Sequence, residues 1–579
     1  QNKVNIKQAI SGVINSYSKH ENNSEKDQII IQSQTRDVII SGVVFTRNIR
    51  NNAPYYLINY DMSSFTDTVT SGCASSKIEI IRDIPINELP LPWKPLIDSV
   101  QEIEKLLDNI ALDIEFAINE SGEVVIFQVR PLAAVQRFKK IPNEKIFLGN
   151  DEFVHQYEIL SQNSLISSHY TLSDMSFWNP AEIIGDRPDN LSYSVYRNLI
   201  LHRAWNIGLR PLGYKKIDRD IVVRIGNKPY IEVETSFLSL LPEDLDDSLC
   251  NKLIQYYCKK LKDNPELHDK IEFEIVHNCY CPITDNRLEE LKHVLNDQEF
   301  SHFRKSLLRL TQNIFDDYDK IIQEDLSSLR RLCSLRKEKT KALERASIQK
   351  KIAIVLGLLD DAREFATPQF SRVARLAFIG NQYLRGLVSK DVISKADVEH
   401  YLSTIKTVAS DLKMEVNRVI SKQTTIEEFN KLFGHLRPGT YDIKKLPYSK
   451  NPEYMGVVSA KIKGESEGEA FIDINQPKAA ISMFLEKFEL SISSDRLLGF
   501  IEETIRNREY FKYEFTKNLS LALELLAEIG DEVGFDRKMM SYLSIENLKC
   551  VLTSSGILDI IDQWDTQIEG RKTREYIQR

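Results

Sequence analysis

Nowhere does the 579-residue chain hold the run of about 18 apolar residues that a membrane helix needs, and no charged-then-apolar leader opens it. A cytoplasmic protein without membrane attachment is the expectation. Basic excess is missing too: 76 Lys and Arg stand against 84 Asp and Glu, a net charge of -8. A nucleic-acid partner is therefore not expected, since binding a phosphate backbone needs a concentrated positive surface. Local basic clusters remain, such as RRLCSLRKEKTKALER (330–345), where glutamates interleaved at helical spacing read as a solvated helix face. Cysteine is scarce. Seven thiols, an odd number scattered from Cys73 to Cys550, suit reduced residues better than a disulfide framework. The tight group His277-Asn278-Cys279-Tyr280-Cys281 has no second ligand pair at zinc-site spacing. Sequence repeats and low-complexity tracts are absent as well.

What remains is an ordinary globular composition, 42% hydrophobic and 28% charged, in a chain of 66.9 kDa. That mass exceeds what one core normally supports and predicts about two to four domains. The first residue is Gln1 and the opening segment already has mid-domain character, so a fragment of a longer protein is expected. Residues 27–47, DQIIIQSQTRDVIISGVVFTR, hold two β-rich runs, and VIISGVVF is apolar enough to be covered on both faces. YYLINY (55–60), a Ser/Thr/Gly-rich stretch MSSFTDTVTSG (62–72), a helix near Leu96–Asn109 and two further strands follow, the last ending at Pro131. In IVVRIGNKPYIEVE the Gly226-Asn227 pair predicts a two-residue hairpin turn. Beyond residue 245 the apolar spacing is helical nearly to the end, interrupted by the Gly/Pro loop FGHLRPGTYDI (433–443).

The strand pair from Ala111 to Leu132 carries the chemistry. Alternation puts Asp113 and Glu115 on one face of the first strand and Gln128 and Arg130 on one face of the second. Ile114, Phe116, Phe127 and Val129 then point the other way. A two-residue Ser121-Gly122 turn would set Glu115 opposite Gln128 and Asp113 opposite Arg130, with Cβ atoms about 4.5 to 5.5 Å apart. A carboxylate facing an amide oxygen at that distance suits Mg²⁺, which takes few protein oxygens and leaves its other positions to phosphates and water. Arg130 would fork onto the terminal phosphate. The alternative on spacing alone is a surface Asp113–Arg130 ion pair on a hairpin that binds nothing.

DIEFAINESGEVVIFQVRPL, preceded by SGVVFTRN and TDTVTSG, resembles the nucleotide-binding domain of the phosphoenolpyruvate synthase and pyruvate phosphate dikinase family. That family's ATP-grasp domain ends in a D-I-E-W/F strand and a Q-x-R-P strand. The resemblance implies ATP and Mg²⁺ as ligands, with Glu115 and Gln128 on the metal and Arg130 on phosphate. It places Gln32, in the strand IIIQSQ, near the adenine, and Thr68 and Thr70 where the family usually carries a glycine-glutamate loop, a pattern from which TDTVTSG departs. The family's lysine and its arginine-bearing V-R-S-S segment are expected before Gln1. The implied fold class is α+β: an ATP-grasp C-terminal part over 1–136, a mixed and then helical acceptor domain over 137–450, and its helical continuation over 451–579. No phosphoenolpyruvate-binding barrel is expected, because strands and helices do not alternate after residue 240.

TPQFSRVARLAFIGNQYLRGLV (367–388), FGHLRPGTYDI and NREYFKYEFTKNLSLALELLAEIGDEVG resemble the acceptor domain of the rifampicin-phosphotransferase branch. WNPAEIIGDRP and HDKIEFEIV resemble most the branch that phosphorylates the side-chain amide of free L-glutamine for capsule decoration. The family routes phosphate through a swivelling domain marked G-G-x-x-S-H, a motif that none of the ten histidines matches. That phosphohistidine domain is expected outside this chain. The implied reaction has two stages: ATP pyrophosphorylates the histidine and water removes the outer phosphate, and the phosphohistidine then donates to the acceptor, leaving AMP and phosphate. At a glutamine site Arg437 would hold the carboxylate, and His435 or Asp442 would orient or deprotonate the amide. The alternative for these residues is a buried Arg–Asp pair fixing the loop, and for Asp186-Arg187 a turn before Pro188. Two rival functions stay open, an antibiotic phosphotransferase with a wide apolar cleft and a non-catalytic nucleotide-binding scaffold.

Overall fold

The computed structural model describes residues 10–11, 14–15, 35–48, 54–62, 76–82, 84–85, 87, 89–132, 143–166, 170–451, 475–553 and 556–578. It is a mixed α+β protein, 63% helical, with antiparallel sheets. Packing divides it into two compact units, Gln1–Ile146 and Phe147–Arg579.

In the first unit β1 (Val38–Phe45), β2 (Tyr55–Asp61), β3 (Ser76–Ile81), β4 (Leu112–Asn119) and β5 (Val124–Pro131) form one antiparallel sheet ordered β3-β2-β1-β4-β5. Helix α1 (Trp93–Leu107) covers one face, burying Trp93, Leu96, Ile97 and Val100 at three-and-four spacing. The even-numbered strand residues Ile40, Val44, Tyr56, Ile58, Ile80, Leu112, Ile114, Phe116 and Ile118 pack with it in a single core. Their odd-numbered neighbours point to the opposite face. Strand registers stack those odd residues into rows that end on the even-numbered Arg130 and Gln128 of β5, Arg130–Asp113–Phe45–Leu57–Glu79 and, next to it, Gln128–Glu115–Val43–Asn59–Lys77.

The second unit has a small sheet of β6 (Leu172–Ser173), β7 (Val222–Ile225) and β8 (Lys228–Glu232), ordered β6-β8-β7. The predicted two-residue turn joins β7 to β8: Ile225 pairs with Lys228, and Gly226 takes φ of +58°. Long helices make up the rest, among them α2 (Asp297–Lys341), α3 (Ile348–Phe365), α4 (Thr367–Ser389), α5 (Ile426–Phe433), α6 (Ser494–Val533) and the short α7 (Arg537–Ser541). A capping box of Asn296 and Glu299 starts α2; Ser493 caps the start of α6 and Gly534, left-handed at φ +86°, ends it. Phe511, Phe515, Leu519, Leu523 and Leu526 form a buried stripe along α6, which packs on α3 and α4. Among the described residues no helix is long and apolar enough to cross a membrane, and Cys250, Cys258, Cys279, Cys281, Cys333 and Cys550 are all free thiols.

Gly42, at the centre of β1, is required by close approach: a Cβ there would lie 2.2 Å from the carbonyl oxygen of Asn59 on β2. Gly42→Ala is expected to cost about 1–3 kcal/mol through forced separation of the two strands. Faster hydrogen exchange confined to peptides covering β1 and β2 would report it.

Candidate functional site

Glu115 pairs directly with Gln128, and Asp113 with Arg130, as the spacing predicts. The turn that was to produce this register is different. Asn119 N–H donates to the Glu123 carbonyl at 3.2 Å, so the loop has three residues, Glu120 to Gly122, rather than two. Gly122 supplies the left-handed position at φ +81°, and the Asn119 side chain accepts from Ser121 N at 3.1 Å and Glu123 N at 2.9 Å. A three-residue loop shifts the pairing by one, and a β-bulge shifts it back. Phe116 pairs with Ile126, leaving Phe127 as the extra residue before Gln128. Val124, Ile126 and Val129 pack against the α1-side core; Phe127 is not among the residues packed there, contrary to its expected inward direction.

The guanidinium of Arg130 lies between the two carboxylates. Its Nη2 is 2.7 Å from Glu115 Oε1 and 3.4 Å from Asp113 Oδ2. Arg130 is half exposed at 51%, whereas Asp113 and Glu115 are mostly covered at 20% and 24%. Gln128 is exposed directly across from Glu115. Asp113 Oδ1 is shut away from water with no hydrogen-bond partner. An acidic oxygen without a donor has an unmet demand for positive charge. Glu115 and Gln128, paired across the two strands, with Asp113 one row away, offer oxygen ligands of the kind a hard divalent cation takes. Two carboxylates and one amide leave most of the coordination to phosphate and water, the arrangement Mg²⁺ favours. Among the described residues no group of three or more His, Cys, Asp and Glu side chains is placed to hold a metal. Gln32, Thr68 and Thr70, the residues expected at a nucleotide, lie outside the described residues.

The expected acceptor residues sit on the loop that follows α5, clipped along α6. His435 packs edge-on against the ring of Tyr513, with centroids 4.9 Å apart. Burial, with Lys517 and Arg336 nearby, pushes its imidazole down to about 4, so the ring is neutral at pH 7; its Nε2 has no hydrogen-bond partner. Beside it the Glu514 carboxylate accepts from Arg336 at 2.7 Å and from Lys517 at 2.5 Å. Further along α6, buried Arg437 donates to the Lys445 carbonyl at 3.1 Å, to Ser520 Oγ at 2.9 Å and to Glu524 at 3.0 Å. Glu524 also meets Arg537 of α7 at 2.7 Å and Lys450 at 2.7 Å. Burial works against its charge, but hydrogen bonds from Arg537 and Lys450 hold its carboxyl down to about 2. The acid that pairs with Arg437 is thus Glu524 and not Asp442, which accepts from Lys444 N at 2.9 Å and shapes the turn. The structure therefore gathers Glu115, Gln128 and Arg130 on one face and His435, Arg437 and Asp442 on one loop.

His277, Cys279 and Cys281 are core residues of the second unit. The His277 ring hydrogen-bonds with Tyr257 at 3.1 Å, Cys279 donates to Gln382 at 3.0 Å, and Cys281 accepts from Thr284 at 3.3 Å. Sequence reasoning passed over two networks that bear on these sites, Arg336–Glu514–Lys517 and, in the first unit, Arg82–Glu104. The second was signalled by Glu104 falling on the apolar stripe of α1.

No family model matches the chain, and no curated protein matches it.

The depressed basicity of His435 has a definite pH signature. Its folded value lies below the ordinary 6.5, so the stability it contributes is complete above pH 6.5 and is lost as pH falls toward about 4. A ring resonance assigned by difference with His435→Gln should stay in its neutral position down to pH 5.5. Titration near 6.5 would contradict the burial.

Proposed function

We propose that the chain is part of an ATP-dependent phosphotransferase of the ATP-grasp type that phosphorylates the side-chain amide of L-glutamine through a phosphohistidine, yielding AMP and phosphate. The observation that carries this reading is the register that puts Glu115 across from Gln128 with Arg130 one row away on the same face. Glu115 and Gln128, with Asp113 beside them, would hold Mg²⁺, which when bound neutralises phosphate charge and polarises the P–O bonds. Arg130 would exchange its contact with Glu115 for the terminal phosphate, as a planar fork able to make two parallel hydrogen bonds. In the second unit His435, whose imidazole is pushed down to about 4, is too weak a base to take a proton from the amide and would instead orient it. Arg437, committed on both terminal nitrogens, suits fixing the loop that presents His435 and Asp442.

The same Arg130 contacts also suit the plainer alternative of a partly exposed ion pair on a hairpin with no ligand, a kind of pair worth at most about 1 kcal/mol. Two variants separate the readings. With the complete protein, ATP, Mg²⁺ and glutamine, Arg130→Met and Glu115→Gln should each lower AMP formation by about 100-fold or more while the fold persists, because each removes charge stabilisation that water cannot replace. Unchanged rates would leave only the ion pair. Phosphorus NMR of the same mixtures should show AMP with an acid-labile P–N product. ADP in place of AMP would remove the pyrophosphoryl route, and AMP release indifferent to glutamine would remove this acceptor.

A further inference from the structure

The cation face occupies an awkward place in its sheet. Asp113 is the second residue of β4 and Arg130 the last but one of β5, while β5 is an edge strand. Strand ends open locally at little cost, so a site there would lose its geometry each time the end frays. One line of hydrogen bonds closes this end across four strands. Arg82, just beyond β3, donates its backbone N–H to the Pro54 carbonyl ahead of β2 at 3.1 Å. Its Nη1 reaches the carbonyl of Thr46, just beyond β1, at 2.7 Å. Thr46 N–H donates to the Leu112 carbonyl at 2.9 Å, its hydroxyl donates to the Ile110 carbonyl at 2.9 Å, and the same hydroxyl accepts from Leu112 N–H at 2.8 Å. Leu112 precedes Asp113.

A buried acid anchors this line from the helix side. Glu104 of α1 takes both terminal nitrogens of Arg82, at 2.6 and 2.7 Å, and accepts from Tyr56 OH at 3.1 Å, while the guanidinium lies 4.6 Å from the Tyr56 ring centre. Thr46 is fully buried, and Glu104 is 5% exposed. An apolar pair of similar volume would serve stability as well as a buried ion pair does, whereas a bidentate fork fixes position and direction. The fork is aimed at the one carbonyl whose residue holds the start of β4.

We propose that Thr46 is a positioning residue for the cation face: its hydroxyl, held in place by the Arg82–Glu104 pair, fixes the first residues of β4 so that Asp113 and Glu115 present their oxygens together. This rests on the nucleotide–metal reading of that face given above. Thr46 touches no ligand and acts through Leu112. Thr46→Val keeps the side-chain shape and removes the hydroxyl, and Thr46→Ser keeps the hydroxyl. Arg82→Lys retains a charge for Glu104 and cannot also reach the Thr46 carbonyl in the same geometry.

The test is Mn²⁺ binding by the complete protein with ATP, followed by loss of the free-ion EPR signal, alongside binding of metal-free ATP and the thermal midpoint. Wild type and Thr46→Ser should agree within about twofold, while Thr46→Val should bind Mn²⁺ about fivefold or more weakly with metal-free ATP affinity unchanged. Arg82→Lys should shift in the same direction and decides the matter if Thr46→Val does not fold. Mn²⁺ affinity unchanged in folded Thr46→Val, or in Arg82→Lys when that variant decides, overturns the positioning role. So does a loss shared equally by Thr46→Ser. A wild-type chain that binds no Mn²⁺ with ATP overturns the metal reading itself, and the positioning role with it, and is recognised because no variant is needed to see it.

Discussion

Everything proposed for the first unit depends on the β4–β5 register, because side chains alternate with a period of two and a slip of one residue would turn Glu115 and Gln128 to opposite faces. Two local devices that each shift the pairing by one residue set it. A loop closed by Asn119 and left-handed Gly122 is one residue longer than the tightest hairpin, and the bulge at Phe127 takes up that residue before the strand reaches Gln128. The bulge sits immediately before Gln128 and so next to the polar face, a position where bulges commonly re-aim a side chain. Asp113 Oδ1 is left unsatisfied within this geometry, and the half-exposed guanidinium of Arg130 is the only positive charge drawn to the two acids among the described residues.

Much of this was legible in the sequence. The alternation in DIEFAIN and the Gln–x–Arg–Pro ending were enough to place four side chains on one face, because in a half-buried sheet the apolar residues leave the polar ones no other direction. The turn was misjudged. Ser121-Gly122 looks like a two-residue turn, yet the Asn119 carboxamide gathers three donors and recruits Glu120 into the loop. The register came out right because the bulge, which no local residue type announces, cancels the error. Phe127 shows the same limit, since its alternation places it in the core and the bulge takes it out.

The second unit was legible as helices and much less as a site. The periodicity of α6 is plain, but the identity of the groups facing His435 and Arg437 is set by residues about 80 positions away in the chain, and single-sequence spacing carries no information about such pairs. The alternative to a substrate contact was a pair of Arg437 with the nearby Asp442; Arg437 meets Glu524 instead, already crowded by Arg537 and Lys450. The neutrality of His435 likewise follows from burial against Tyr513 and from two neighbouring cations, all of them tertiary facts. Glu104 is a case where a signal existed: an acid in line with Trp93, Ile97 and Val100 on an otherwise apolar stripe has to be paired, although its partner Arg82 could not be named beforehand.

The loop carrying His435, Arg437 and Asp442 is tied to α6 at Tyr513, Ser520 and Glu524, each roughly one or two turns from the next along a single rod of 40 residues. A helix of that length is stiff, and several clips along one side leave the loop no independent hinge. Loop and rod behave as one mechanical piece, like a blade riveted to its handle. A shift of the α6 segment from Tyr513 to Glu524 would carry His435 with it, so the orientation of that imidazole follows the helix more than the loop's own glycines.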